Sequence, residues 1–324
     1  MTDIMKDVFC STLDKIIDEW RANGVDEAEI EQRIQKLFQG DAVLKAFESC
    51  SKIVVQRLQG TMYPRVLEER AFTDEFVAQH EQIWGDAFVT SEALYIMAIE
   101  SGEQCNKYVL EHWDDMLADK HSRLHALKAL HIRACQQYAE IICLIKGGFA
   151  DGALARWRSL YELCVVAKFI ADNDEKVAAA YIHKDNWDNG YHDWAKAAPA
   201  FASNRGHVRF SDLQDVCSFS TDAYKRLYQF SCKYVHAAPM GTFTRIGRKQ
   251  RDSVLAGRSD YGMTAPAEHA ALALAVISKI YYSQLPYYDG IAYSETMFEW
   301  VEVVSNAYEK AEKEAFPDKS EFSQ

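Results

Sequence analysis

The stretch DGALARWRSLYELCVVAKFIAD, Asp151 to Asp172, decides the fold. From Ser159 to Ala171 only Glu162 and Lys168 are charged, within an otherwise mostly apolar helical run. Arg158 and Glu162 are four residues apart, so a helix sets them one turn apart on one face. A carboxylate among Leu160, Leu163, Cys164, Val165 and Val166 loses hydration and needs a partner, and Arg158 is the nearest. The spacing therefore predicts a charged pair in a buried place. Asp151 is expected to cap this helix by accepting a hydrogen bond from a free backbone N–H of its first turn.

Upstream, Leu124, Leu127, His131, Ala134, Tyr138, Ile141 and Ile145 recur at intervals of three and four, which predicts a helix over 121–146. Gly147-Gly148 ends it, and so short a turn between two long helices makes an antiparallel hairpin. Farther back, the pattern gives helices over 3–21, 26–38 and 41–59, a break at Tyr63-Pro64, then helices over 65–84 and 91–116, with Gly102 a bend. Downstream, helices are expected over 174–198, stopped near Pro199, and over 212–235. A Gly- and Arg-rich loop over 240–263 follows. The next helix, 266–285, carries the continuous apolar run Ala271 to Ile277, and a last one spans 294–315.

No strand pattern and no repeat interrupts this series, and only 15 Gly and 6 Pro in 324 residues argue against a sandwich or barrel. The expected fold is all-α: a bundle of long antiparallel helices over 119–324, which bears the site, with an additional acidic helical region over 1–118. Residues 1–120 hold 24 acids and 12 bases, which accounts for the whole net charge of −12 and makes this region a candidate surface for a protein partner. Residues 205–258 hold ten bases against four acids, which suits either a local anion or the acidic parts of the same chain.

The eight cysteines contain no C-x-x-C pair and fall mostly within apolar helical patterns, as reduced thiols of a cytoplasmic protein do. The start MTDIMKDVFC lacks a basic segment followed by an apolar core, and no uncharged apolar run reaches the roughly 18 residues a membrane helix needs. A soluble, cytoplasmic protein with no membrane partner is expected.

Candidate chemistry gathers at few places. His236 closes the 212–235 helix just before a Pro-containing loop, with Lys233 one turn back on nearly the same face. A histidine there is placed to titrate and to be tuned by the backbone dipoles of the helix end. Glu162 would position or charge a basic partner, Arg158 or His236. The alternatives are a structural ion pair and a histidine that binds the last carbonyls. Arg245, Arg248, Lys249 and Arg251 form a basic stretch that holds phosphates by charge alone, and His183 joins them as a substrate-side candidate. His183, Asp185, His192 and Asp193 are poorly spaced for a metal, because residues two apart on a helix face different ways. No Glu-x-x-His repeat, phosphate loop, G-x-G-x-x-G or H-E-x-x-H is present. No metal and no cofactor is expected.

The small-residue turn at Gly148, the run Arg158-Ser-Leu-Tyr161-Glu162-Leu163 and the later Lys233-Tyr-Val-His236 resemble an uncharacterised bacterial helical family, domain of unknown function 5677, over about 120–285. That family implies the helical fold and names no activity. More distantly, Lys233-x-x-His236 at a helix end resembles the HEPN superfamily of small helical bundles. Many of those are metal-independent ribonucleases of toxin–antitoxin and phage-defence systems, with an Arg-x(4–6)-His motif paired across a homodimer. No arginine precedes His236 at that spacing; Arg226 lies farther back and Lys233 nearer. The resemblance implies RNA or a nucleotide as substrate, a homo-oligomer, and catalysis by His236, Lys233, Glu162 and Arg158. The alternative is a non-enzymatic helical interaction or sensor module.

Overall fold

The computed structural model describes all residues except 1, 39–40, 114–117, 184–189, 220–221, 237–238, 244, 248–255 and 318–324. Every regular element among the described residues is helical, and no strand occurs. The chain divides into two compact units, Met1–Phe76 and Val77–Gln324, and helix α3 (Asp41–Glu111) contributes to both. The boundary thus falls earlier than the 118/119 division read from charge. Acidity marks a surface, whereas residues 77–111 carry Trp84, Phe88, Leu94 and Cys105, all of which are buried in the core of the second unit.

In the first unit, α1 (Thr2–Ala22) and α2 (Glu27–Leu37) accompany the first part of α3. Asp26 caps α2 by accepting the Glu29 N–H at 2.8 Å. The core here is small: Val8, Cys50 and Val54 are buried, and Ile4, Phe9 and Leu58 pack on them. The expected break at Tyr63-Pro64 does not form; α3 runs through Gly60 and Pro64. Proline removes one backbone donor, but helix already nucleated on both sides propagates cheaply. Arg65 adds two local ion pairs, to Glu68 and Glu69, at 2.8 Å each.

The second unit is built on the hairpin of α4 (His121–Lys146) and α5 (Ala150–Ala171). Gly148 takes the left-handed backbone (φ 76°) that the turn requires and that glycine adopts without strain. α10 (Thr264–Tyr282) lies against both helices, and α11 (Tyr288–Ala315) lies against α10. Trp157 of α5 is fully buried and donates its indole N–H to the His269 carbonyl at 3.0 Å. The α3 part joins the same core. Trp84 donates to the Asp260 carbonyl (3.0 Å), and His80 bridges Asp260 (2.6 Å) and the Ile145 carbonyl (2.9 Å).

Three expected elements are divided in the structure. The 174–198 helix is α6 (Glu175–His183), with residues 184–189 outside the described set, followed by two 3-10 turns, Asp193–Ala197 and Pro199–Phe201. Asp193 is drawn away from helical geometry by the Val208 N–H (2.8 Å), His207 (3.0 Å) and Lys196 (3.2 Å), and the first of these leads in holding its carboxyl well below the usual range. The 212–235 helix is α7 (Phe210–Val216) and α8 (Asp222–Val235). The 240–263 loop opens with a short helix, α9 (Pro239–Phe243). Among the described residues no helix is long and apolar enough to cross a membrane.

A buried polar network ties α3, α4 and α10 together. Ser101 donates to the Met97 carbonyl (2.6 Å) and Ser278 to the Leu274 carbonyl (2.8 Å). With its own proton so used, Ser101 accepts from the Tyr282 hydroxyl (2.7 Å). Ser278 (3.1 Å) and Tyr282 (3.2 Å) are then left as acceptors for His131 Nε2–H. Burial pushes the His131 imidazole down to about 4, so it is neutral.

That depression has a sign. Below the ordinary value of about 6.5 the unfolded chain takes up a proton that the folded chain refuses, so stability falls as pH drops toward 4 and is full above 6.5. Between pH 7 and pH 5 the expected loss is about 2 kcal/mol. Urea unfolding of wild type and His131→Gln at both pH values checks it. The variant should lose less by about that amount, and equal losses would place the acid sensitivity elsewhere.

Candidate functional site

The turn before α5 is held from the far end of the sequence. Arg258 donates to the Gly147 carbonyl (2.6 Å), the Ser259 N–H donates to the Gly148 carbonyl (3.0 Å), and the Arg258 guanidinium lies over the Phe149 ring at 4.8 Å. Asp151 does not cap α5. The position preceding the helix is Phe149, with no side-chain capping bond, and the Asp151 carboxylate instead accepts the Ile246 N–H at 3.0 Å. Burial raises the Asp151 carboxyl, and the Ile246 and Gly247 N–H groups and Arg245 oppose the rise. A cavity of about 490 Å³ opens here, bounded by Phe149, Asp151, Gly152, Tyr234, Arg245 and Gly247.

Two and three turns along α5 from Asp151 stand Arg158 and Glu162. Their ion pair forms as the spacing predicts, Nη2 to Oε1 at 3.0 Å. It is not fully buried, however: the side chains are 22% and 33% exposed, because the pair sits where α8 crosses α5 and not in the central core. The partner the sequence did not reveal is Tyr228 of α8. Its hydroxyl donates to the same Glu162 Oε1 at 2.6 Å, and the Arg158 guanidinium lies 5.3 Å from its ring centroid. Burial and the bond to Glu162 raise the Tyr228 hydroxyl above its usual range. One turn on, Cys232 feels both charges, and burial raises its thiol. Tyr161, buried, stacks on Tyr224 (5.9 Å between centroids) and backs this cluster. The missed signal was the spacing of Tyr228, Cys232 and His236, four apart on the helix opposite.

α8 carries Lys233 and His236 at its end. The His236 N–H closes the last turn on the Cys232 carbonyl at 3.0 Å, and its side chain is exposed. Lys233 Nζ lies over the Phe230 ring at 5.8 Å. The chain then folds back so tightly that Gly241 meets the Lys233 carbonyl, where a Cβ would overlap the backbone. Arg245 donates to the Gly241 carbonyl. The end of α8, the start of α5 and residues 245–247 are thereby one neighbourhood.

Not every predicted residue joins it. His183 is exposed in the last turn of α6, and shares no hydrogen bond, ion pair or ring contact with Arg158, Glu162 or His236. α6 packs mainly on α4 and on the 3-10 turn Asp193–Ala197. Arg248, Lys249 and Arg251 lie outside the described residues, between Gly247 and Ala256, both of which border the cavity. Among the described residues no group of three or more His, Cys, Asp or Glu is arranged to hold a metal ion.

A family model for a family of unknown function, DUF5677, matches residues 124–213, which span α4 from Leu124 through α7 to Leu213. The Tyr234–Pro239 part of the resemblance falls outside that match. No curated protein and no solved structure matches the chain. Over residues 124–213, the α4–α5 hairpin and what immediately follows it, this chain is similar to the DUF5677 family.

Proposed function

We propose that the protein is a metal-independent, HEPN-like ribonuclease or nucleotide-acting enzyme, with its reacting groups at the C-terminal end of α8. The observation that carries this reading is how that end is mounted. Glu162 and Arg158 clamp Tyr228, and α8 then leads to the half-buried Lys233, whose carbonyl meets Gly241, the acceptor of Arg245, and to the exposed His236. A titratable imidazole on a fixed element, with cations nearby, suits phosphodiester chemistry.

In this reading His236 removes the proton of a ribose 2′-OH. The 2′-oxygen attacks the adjacent phosphorus, and the 5′-oxygen leaves with a proton from solvent, giving a 2′,3′-cyclic phosphate and a 5′-hydroxyl. Lys233 and Arg245 offset the charge on the phosphate. Arg158 and Glu162, engaged with each other and with Tyr228, act as positioning residues. The protein acts in the cytoplasm, which its eight free thiols suit, as a homo-oligomer in a toxin or phage-defence setting.

The test is incubation of the purified chain with single-stranded RNA in excess chelator. Fragments ending in 2′,3′-cyclic phosphate are expected. Intact RNA at every protein concentration would overturn the reading.

A second reading, a non-enzymatic interaction module, has one observation of its own. Within the first unit α3 exposes Ile53, Val55, Tyr63, Val66, Leu67 and Phe72, apolar surface of the kind that partner helices cover. Inert protein in the RNA assay that forms a stable complex only when residues 1–76 are present would favour it.

A further inference from the structure

Away from the α5–α8 site, a cavity of about 460 Å³ lies between α3, α4 and α10. Its walls are mainly apolar, with Tyr95, Ile99 and Ala139 among them, and its volume falls in the range of small-molecule sites, roughly 300–1,000 Å³. A second cavity of about 280 Å³ shares Asn106, Lys128 and Tyr281 with it.

Polar side chains also line this cavity, among them Glu103, Lys128, Gln136, His131 and Tyr281. His131, 3% exposed, lines it. The network on its far side commits Nε2–H to Ser278 and Tyr282, so Nδ1 carries a lone pair, and that atom has no hydrogen-bond partner among the described residues. Gly102 makes room beside it, since a Cβ there would stand 2.9 Å from His131 Cε1 and 3.4 Å from Nδ1. Tyr281, 1% exposed, borders both cavities, and its hydroxyl is buried with no partner among the described residues. At the rim Lys128 is occupied by Asn106. A buried hydroxyl left unpaired is costly, and with the His131 Nδ1 lone pair beside it on one apolar cavity it marks a place where a ligand supplies what the protein lacks.

We infer that this cavity binds a small uncharged aromatic molecule bearing one hydroxyl or ring N–H, which donates to His131 Nδ1 while its ring fills the apolar walls. The inference is independent of the α8 chemistry. A donor is required because a neutral imidazole with Nε2–H committed offers only an acceptor at Nδ1. An uncharged ligand suits walls this apolar, against which an ion would lose its hydration.

The test uses 2-naphthol as probe, with naphthalene and 2-naphthoate as controls, in titration calorimetry on the full chain. Binding of 2-naphthol at least roughly tenfold tighter than either control is expected, the worth of one hydrogen bond to a buried acceptor. His131→Leu should erase the preference over naphthalene. Ala139→Trp, a half-buried position on the cavity wall and outside the network, should abolish binding of both, with circular dichroism verifying its fold. No heat with 2-naphthol at its solubility limit, equal affinity for naphthalene, or unchanged binding in Ala139→Trp would overturn the proposal. Tighter binding of 2-naphthoate would overturn it too, and assign the polar contact to Lys128.

Discussion

His236→Ala lowers RNA cleavage by at least about 100-fold and leaves thermal unfolding at the wild-type temperature, if the end of α8 carries the chemistry proposed. The magnitude is the lower end of what a positioned general base contributes. The stability half follows from exposure. The His236 side chain packs on nothing in the core, and the bond that closes its turn is made by its backbone N–H, which alanine keeps. Initial rates on a labelled oligonucleotide and a melting curve on the same preparation check both halves. A wild-type rate in the variant removes His236 from the mechanism. Lost activity with a lowered melting temperature would instead give His236 a structural role at the helix end.

Glu162→Ala is expected to destabilise the second unit by about 3 kcal/mol, well above the 0–1 kcal/mol of an exposed ion pair. One carboxylate oxygen accepts from Tyr228 and also pairs with Arg158. Its removal leaves a phenol without its acceptor and a guanidinium without its charge, in a setting where both are half-buried. Glu162→Gln keeps an acceptor for Tyr228 and should recover part of the loss. Denaturant unfolding of the three proteins measures this. Equal stability of Glu162→Ala and wild type would mean that α8 is held on α5 by its aromatic contacts alone. The pair also separates roles, since Glu162→Gln should retain RNA cleavage if Glu162 only positions α8.

Much of the site's raw material was legible in the residues. The interval between Arg158 and Glu162 alone specifies an ion pair on one helical face, and it forms. The place of Lys233 and His236 at the end of a helix likewise follows from local pattern and from Pro239. What the residues concealed is their third partner. Tyr228 lies 66 positions from Glu162 in the chain, and nothing local to either residue encodes their meeting. Asp151 shows the same limit in reverse. Its position suggests a cap, yet the Ile246 N–H, 95 residues away, takes the carboxylate.

The sequence by itself determined the helical class and the α4–α5 hairpin, because an apolar period and a glycine turn act over a few residues and require no distant partner. Only the tertiary structure decided that α3 runs through Pro64 and that residues 77–111 join the second core. It alone also placed His131 with Ser278 and Tyr282 on an apolar cavity. These outcomes depend on which helices pack together, and packing is settled by the sum of many weak contacts between distant residues, which no short window of sequence contains.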